Sequence, residues 1–176
     1  MKNKKNILTL AFGLFAYLLT GAASMAQTTM EEFMAKWENG KEFTLEVVDK
    51  MPDNLLDYRP EAEAMSFKEQ VTHISSSIVG ISKGFLLGAE PGFASDAKPQ
   101  TKEELKAFVT ACFDYGKSTF SKLTEAQLNE QIDSFAGRVT RRQMVGLVDD
   151  HATHHRGAAI SYIRANGITP PAFRGL

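Results

Sequence analysis

The chain has 176 residues, with 20 basic and 21 acidic side chains, one cysteine and four histidines. This length suits a single domain, and 43% hydrophobic with 23% charged residues is a globular composition. The balanced charge disfavours a nucleic-acid-binding protein, which carries a clustered basic surface. The lone Cys112 excludes an intrachain disulfide, and 6 prolines and 13 glycines exclude collagen-like and low-complexity chains.

Residues 1–26 have the features of a secretory signal peptide. Three lysines precede an apolar run at residues 7–19, and small side chains flank a cleavage point before Gln27. The run is shorter than the ~20 residues that span a bilayer, so a retained N-terminal anchor is the less favoured alternative. We expect export to the periplasm and a mature chain without a membrane span. Cleavage would remove three lysines but no acidic residue, and would change the net charge from −1 to −4.

Capping boxes, in which Glu or Gln follows Ser or Thr by three residues, mark the predicted helix starts. They predict helices from Thr29 to about Lys50, Ser66 to near Gly88, Thr101 to near Leu123, and Thr140 to Asn166-Gly167, with a short helix after Thr124. Residues 132–139 are expected to form a small hairpin.

Apolar residues recur with a helical period in the four long helices. The stripes contain Phe33, Met34, Trp37, Leu45 and Val48; Phe67, Val71, Ile74, Ile78, Ile81 and Phe85; Leu105, Phe108, Val109, Cys112 and Phe120; and Met144, Leu147, Val148, Ala158, Ala159 and Tyr162. An all-α fold of the four-helix-bundle type is therefore predicted. Cys112 is expected to be a buried apolar side chain rather than a nucleophile, since no basic neighbour activates it.

Two histidines define the strongest functional signal. His151 and His155 are four residues apart and therefore lie on one face of the last helix, together with Met144 and Val148. A buried imidazole needs partners for both ring nitrogens, and convergence on a cation satisfies that need. The spacing alone is a weak signal, and histidines that merely pack in the core are the alternative.

His73, on the second predicted helix, strengthens the indication of a metal site. Ser77, Gly80 and Gly84 follow it along one stripe, so small side chains leave room for a cleft facing the last helix. Across such a cleft His73 would face the other two histidines. The alternative is a partly exposed surface histidine.

Three further polar residues lie next to His151 and His155 in the sequence. His154 lies at the edge of the histidine face and is expected to flank the site rather than to ligate. Asp149 or Asp150 is a candidate acceptor for the outer N–H of a ligand ring. The alternative for both carboxylates is a solvated charge on the helix surface.

Two segments of the chain resemble the DinB-like (YfiT-like) family. His-Ala-Thr-His-His-Arg-Gly at residues 151–157 is similar to the family signature, and Asp-Tyr-Arg-Pro at residues 57–60 with residues 66–74 resembles the segment leading into the second helix. The resemblance covers residues 28–173 and implies a four-helix bundle, commonly a homodimer. It also implies that one divalent metal (zinc, nickel or iron) binds His73, His151 and His155.

The resemblance implies thiol-dependent transfer or isomerisation, but two features depart from it. Ala158 stands where the family often has glutamine. The predicted signal peptide separates the chain from cytosolic low-molecular-weight thiols, which puts thiol transfer in doubt.

Three function hypotheses remain open at this point. Three imidazole ligands leave coordination positions open, as in catalytic metal sites, which favours an exported metal-dependent hydrolase or group transferase acting on a small molecule. A non-catalytic binding module in which the metal stabilises the bundle or holds a ligand is the second hypothesis, and a metal-free bundle is the third. The sequence identifies no catalytic residue and no nucleic-acid partner.

Overall fold

The computed structural model describes residues 28–175, and the predicted signal segment, residues 1–26, lies outside them. The described helices are α1 (Met30–Lys50), α2 (Phe67–Phe85), α3 (Lys102–Phe120), α4 (Glu125–Leu128) and α5 (Arg141–Ala165). A 3₁₀ turn, Asp53–Leu55, follows α1, and the strands β1 (Gln131–Ser134) and β2 (Gly137–Thr140) lie between α4 and α5. Within these described residues, no helix combines the length and the apolarity needed to cross a bilayer.

Side-chain caps form at the predicted helix starts. Ser66, Thr101, Thr124 and Thr140 each accept a hydrogen bond from the backbone N–H three residues later, and the Glu or Gln at that position accepts one in return. Thr29 and Glu32 make the same reciprocal pair in the first turn of α1. Each box satisfies backbone N–H groups that a helix start leaves without partners.

Within residues 34–175, α1 packs against α3 in the opposite direction. Asp49 near the end of α1 pairs with Lys106 near the start of α3 at 2.6 Å, and Glu38 pairs with Lys117 at 2.7 Å. The Trp37 indole N–H donates to the backbone carbonyl of Phe113 at 3.0 Å. This buried bond removes the cost of an unpaired indole donor in the core.

The long helix α5 packs against both α1 and α2. Lys36 and Gly40 of α1 contact Asp149 and Arg156 of α5 respectively, so these two helices run in the same direction. The last residue of α2 and the first of α5 meet through a 3.1 Å hydrogen bond, so α2 and α5 are antiparallel. The predicted all-α four-helix bundle is confirmed, with α2 and α3 parallel to each other.

The bundle core contains apolar residues from all four long helices. Its largest fully buried side chains include Trp37, Phe67, Ile74, Ile78, Leu105, Phe113, Phe120, Met144 and Ile163. Cys112 has no exposed surface, and burial raises the pKa of its thiol to about 12. The thiol is therefore protonated at neutral pH, as expected of a packing residue.

Gly116 marks the closest approach of α3 to its neighbours. A Cβ atom at this position would lie 2.8 Å from the Trp37 ring and 3.0 Å from the Ile78 side chain. We expect Gly116→Ala to lower the free energy of unfolding by about 1–2 kcal/mol, because overpacking outweighs the gain in helix propensity. Urea denaturation measures the change. Gly80→Ala, where a Cβ meets no atom within 4 Å, is the control; equal effects of the two substitutions would contradict the account.

The predicted hairpin is present between α4 and α5. β1 and β2 pair antiparallel, with Ile132 opposite Val139, and Gly137 has a φ of +91°, a conformation that favours glycine. Phe135 lies in the turn, with its ring 5.6 Å from that of Phe85 and 67% of its surface exposed. The hairpin thus presents an exposed aromatic side chain beside the end of α2.

Candidate metal centre

The antiparallel packing of α2 on α5 brings three histidines together. The ring centroids of His73 and His151 are 4.9 Å apart, those of His73 and His155 are 4.5 Å apart, and those of His151 and His155 are 4.6 Å apart. One ring nitrogen from each residue lies within 4.8 Å of the other two. The three predicted ligand residues therefore form one half-buried cluster.

The donor set of this cluster fits a divalent transition-metal ion. Imidazole nitrogen is a ligand for zinc, nickel and iron. Nitrogens bound tetrahedrally to one zinc ion at about 2.0–2.1 Å lie about 3.3–3.4 Å apart, so the three rings, now within 4.8 Å, have to move closer together to ligate one ion. Within residues 28–175, the group consists of the three histidines alone, without a carboxylate or thiolate.

Gln70 orients His155. Its side-chain oxygen lies 2.6 Å from Nδ1 of His155, and its amide nitrogen donates to the Tyr162 hydroxyl at 3.2 Å. Because an amide oxygen only accepts hydrogen bonds, this arrangement places the imidazole proton on Nδ1. The lone pair of Nε2 is then available to a cation.

Gln70 was not among the site residues predicted from the sequence. It is a buried polar side chain one helical turn before His73, next to the apolar Phe67 and Val71. A polar residue inside an apolar stripe was the available signal. Its partner His155 is 85 residues away in the sequence, so the pairing itself required the fold.

The two aspartates have different positions from those expected of ligand-orienting groups. Asp149 is buried and pairs with Lys36 of α1 at 2.6 Å. Asp150 is exposed and lies at the edge of a cleft beside the histidines. The acceptor at His155 is Gln70 and not one of the two candidate aspartates, and Asp149 pairs with α1 instead. Because Asp149 is buried and ion-paired, it is also not the solvated surface charge that was the alternative prediction.

His154 flanks the cluster, as predicted. Its ring is exposed and lies 4.9 Å from that of His155 in an edge-on arrangement. It lines the cleft beside His151 but does not belong to the three-histidine group. Its side chain is therefore positioned to contact a bound molecule.

Arg156 fixes the opposite face of α5. Its buried guanidinium donates to the Gly40 carbonyl and to the Thr44 hydroxyl, both at 3.3 Å, and lies 5.1 Å from the centre of the Phe43 ring. These contacts anchor α5 to α1 directly after His155. They therefore hold the helix in the rotation that turns its histidines toward α2.

Burial keeps two of the histidines neutral. It lowers the pKa of His155 to about 4, with a further contribution from the neighbouring His151. Burial also lowers the pKa of His151, with a further contribution from His73. Neutral imidazole is the form that binds metal ions, so these rings are ready to ligate at neutral pH.

The lowered pKa values predict that the metal-free protein loses stability as the pH falls. The unfolded chain binds protons below about pH 6.5, whereas folded His155 stays neutral until about pH 4. The free energy of unfolding is therefore expected to decrease through this interval. Thermal unfolding with chelator measures the decrease, which is expected to be shallower in His155→Gln. Parallel pH profiles for the two proteins would contradict the assignment.

Comparison with known proteins places the chain in a family. A sequence profile of the DinB family matches residues 25–176. The chain belongs to the DinB family. It is also 28% identical over 133 residues to the uncharacterized protein YjoA of Bacillus subtilis strain 168, an alignment that covers 74% of this chain and 86% of YjoA.

Solved structures of DinB-like proteins have the same fold. The crystal structure of B. subtilis YjoA has a TM-score of 0.64 at 24% identity, and the alignment covers 80% of this chain and 95% of that chain. A DinB-like protein from Bacillus cereus ATCC 10987 has a TM-score of 0.71 at 21% identity, covering 82% and 97%. The family resemblance and the DinB-like helical fold expected from the two motifs are confirmed.

Proposed function

We propose that this DinB-family protein binds one divalent transition-metal ion through His73, His151 and His155 and acts on a small molecule by hydrolysis or group transfer. The proposal rests on the convergence of three imidazole nitrogens at the α2–α5 contact. The hydrogen bond from His155 to Gln70, which frees Nε2, supports it. When bound, a divalent ion acts as a Lewis acid that polarises an oxygen or sulfur atom of the substrate.

The side chains around the cluster give each part of the site a role in this reaction. Three ligands leave at least one coordination position for a substrate atom. His154 and Asp150 line the cleft beside His151, where both side chains can contact a bound molecule. Gln70 holds the His155 ring, and Arg156 holds the helix that carries it.

Cobalt substitution tests whether the centre has an open position. Addition of acetohydroxamate to the cobalt(II)-loaded protein is expected to change its visible absorption, because the hydroxamate oxygens enter unoccupied coordination positions. His154→Ala is expected to respond in the same way, since His154 lies outside the three-histidine group. A spectrum that does not change would indicate a closed, structural centre and contradict the catalytic proposal.

We also propose that the reaction takes place outside the cytoplasm, after cleavage before Gln27. The lysine-rich start, the short apolar run and the small residues at the cleavage point support export. Cell fractionation followed by N-terminal sequencing tests this, and an uncleaved chain in the cytosolic fraction would contradict it.

Light scattering on the same sample tests the homodimer that the family resemblance implies.

A further inference from the structure

A cleft of about 560 Å³ lies beside the histidine cluster. Gly80 and Ile81 of α2 form one wall, Leu147 and His151 of α5 form the other, and Phe135 of the hairpin turn lies at its edge. This volume is within the range of pockets that hold small molecules. His151 belongs both to the cleft and to the cluster, so the cleft adjoins the candidate metal position.

The walls of the cleft are mainly apolar. Ile81, Leu147 and Phe135 supply large hydrophobic side chains, and the Phe135 ring, which packs edge-on against Phe85, keeps 67% of its surface exposed. Burial of apolar surface against them contributes to affinity at roughly 25 cal/mol per Å². An aromatic or branched aliphatic group is the chemical class that matches these walls.

The charge of the cleft further restricts which ligands it can bind. Asp150 is the charged residue in its lining, and among residues 28–175 no lysine or arginine lines it. No basic side chain of the described residues forms an ion pair with Asp150. In the metal-free protein this exposed carboxylate disfavours anions, whereas a divalent ion held by the adjacent histidines would disfavour cations, so an uncharged ligand fits both states.

We propose that the cleft binds the substrate through an aromatic or branched aliphatic group attached to an uncharged molecule, with the reacting atom directed to the three histidines. The reaction of that substrate rests on the proposed function. Binding of the substrate's apolar group depends only on the cleft, so binding and reaction are tested separately.

Gly80 offers a direct test of the cleft. A Cβ atom added at Gly80 meets no atom within 4 Å, so a side chain at this cleft-lining position begins without a steric clash. Gly84 is one turn further along α2, is equally exposed and equally free of neighbours, but does not line the cleft. Gly80→Leu and Gly84→Leu therefore form a matched pair.

The probes are N-phenyl-1-naphthylamine, which is neutral, and 8-anilinonaphthalene-1-sulfonate, which has the same rings with a sulfonate. Each is titrated into the protein isolated after expression of the full chain, with and without zinc. In the zinc-free protein we expect saturable binding of the neutral probe that is tighter than that of the anionic one, because the exposed Asp150 carboxylate disfavours the sulfonate. Gly80→Leu is expected to weaken it by about 10-fold or more, and Gly84→Leu is expected to leave it unchanged. Phe135→Ala, an exposed position, is expected to weaken it as well.

The outcomes separate this inference from the metal proposal. Equal loss in the two leucine variants, no saturable binding, or preference for the sulfonate in the zinc-free protein would overturn the inference even if zinc binds with the expected stoichiometry. The expected pattern in a protein that binds no zinc would support the cleft and count against the metal reaction alone.

Discussion

Substitution of His151 by alanine is expected to abolish stoichiometric zinc binding. The wild-type chain is expected to bind about one zinc ion, and the variant to bind it more than about 100-fold more weakly. Removal of a direct ligand costs more than the 10–100-fold that is typical of a ligand-orienting residue. Elemental mass spectrometry of the purified proteins, followed by competition with a chelator, measures the stoichiometry and the affinity.

Three companion variants make this result specific. His73→Ala and His155→Ala are expected to lose the ion as His151→Ala does, since all three belong to one group. His154→Ala is the matched control, because its ring contacts His155 but lies outside the group. Equal zinc content in all four variants, or loss in His154→Ala alone, would contradict the ligand assignment.

Substitution of Gln70 by leucine is expected to lower zinc affinity by about 10–100-fold with the three ligands intact. The leucine side chain cannot accept the proton on Nδ1 of His155, which the Gln70 oxygen now contacts at 2.6 Å. The ring then loses the contact that fixes its tautomer and orientation. Competition between the protein and a chromogenic chelator measures the affinity.

Gln70→Glu is the control for this prediction. A carboxylate keeps an acceptor at the same position, so zinc affinity is expected to stay close to that of the wild type or to rise. Similar weakening in the leucine and glutamate variants would show that Gln70 contributes by packing alone. Circular dichroism of both variants verifies that the bundle is folded.

Local sequence signals predicted the helix starts well. A capping box needs only two side chains three residues apart, and all the information for it is in one turn of helix. The ends were less accurate: α2 and α3 were expected to end near Gly88 and Leu123 but end at Phe85 and Phe120. No comparable pair of side chains marks the ends of α2 and α3, because apolar residues continue with helical spacing into the loops that follow.

The directions of the helices depend on contacts that the sequence does not contain locally. The link between α2 and α3 returns the chain so that the two helices run parallel, and no motif in residues 86–101 predicted this. Hydrogen bonds such as Arg141 to the Phe85 carbonyl, 56 residues apart, fix the arrangement. Apolar stripes predict that helices pack, but not which neighbour each one contacts.

The same distinction applies to the candidate site. The spacing of His151 and His155 placed them on one face, and the small residues after His73 indicated a cleft; the structure brings the three together. Gln70 and Arg156 escaped prediction because their partners are 85 and 116 residues away. Family resemblance supplied the ligand set, and the fold supplied the residues that support it.

Anomalous X-ray scattering at the zinc edge, on crystals of the zinc-loaded protein, tests the central claim most directly. The account predicts one anomalous peak per chain between His73, His151 and His155, at about 2.0–2.1 Å from one nitrogen of each ring, with a remaining position open to solvent. A peak elsewhere, or a fourth protein side chain that closes the coordination shell, would contradict it.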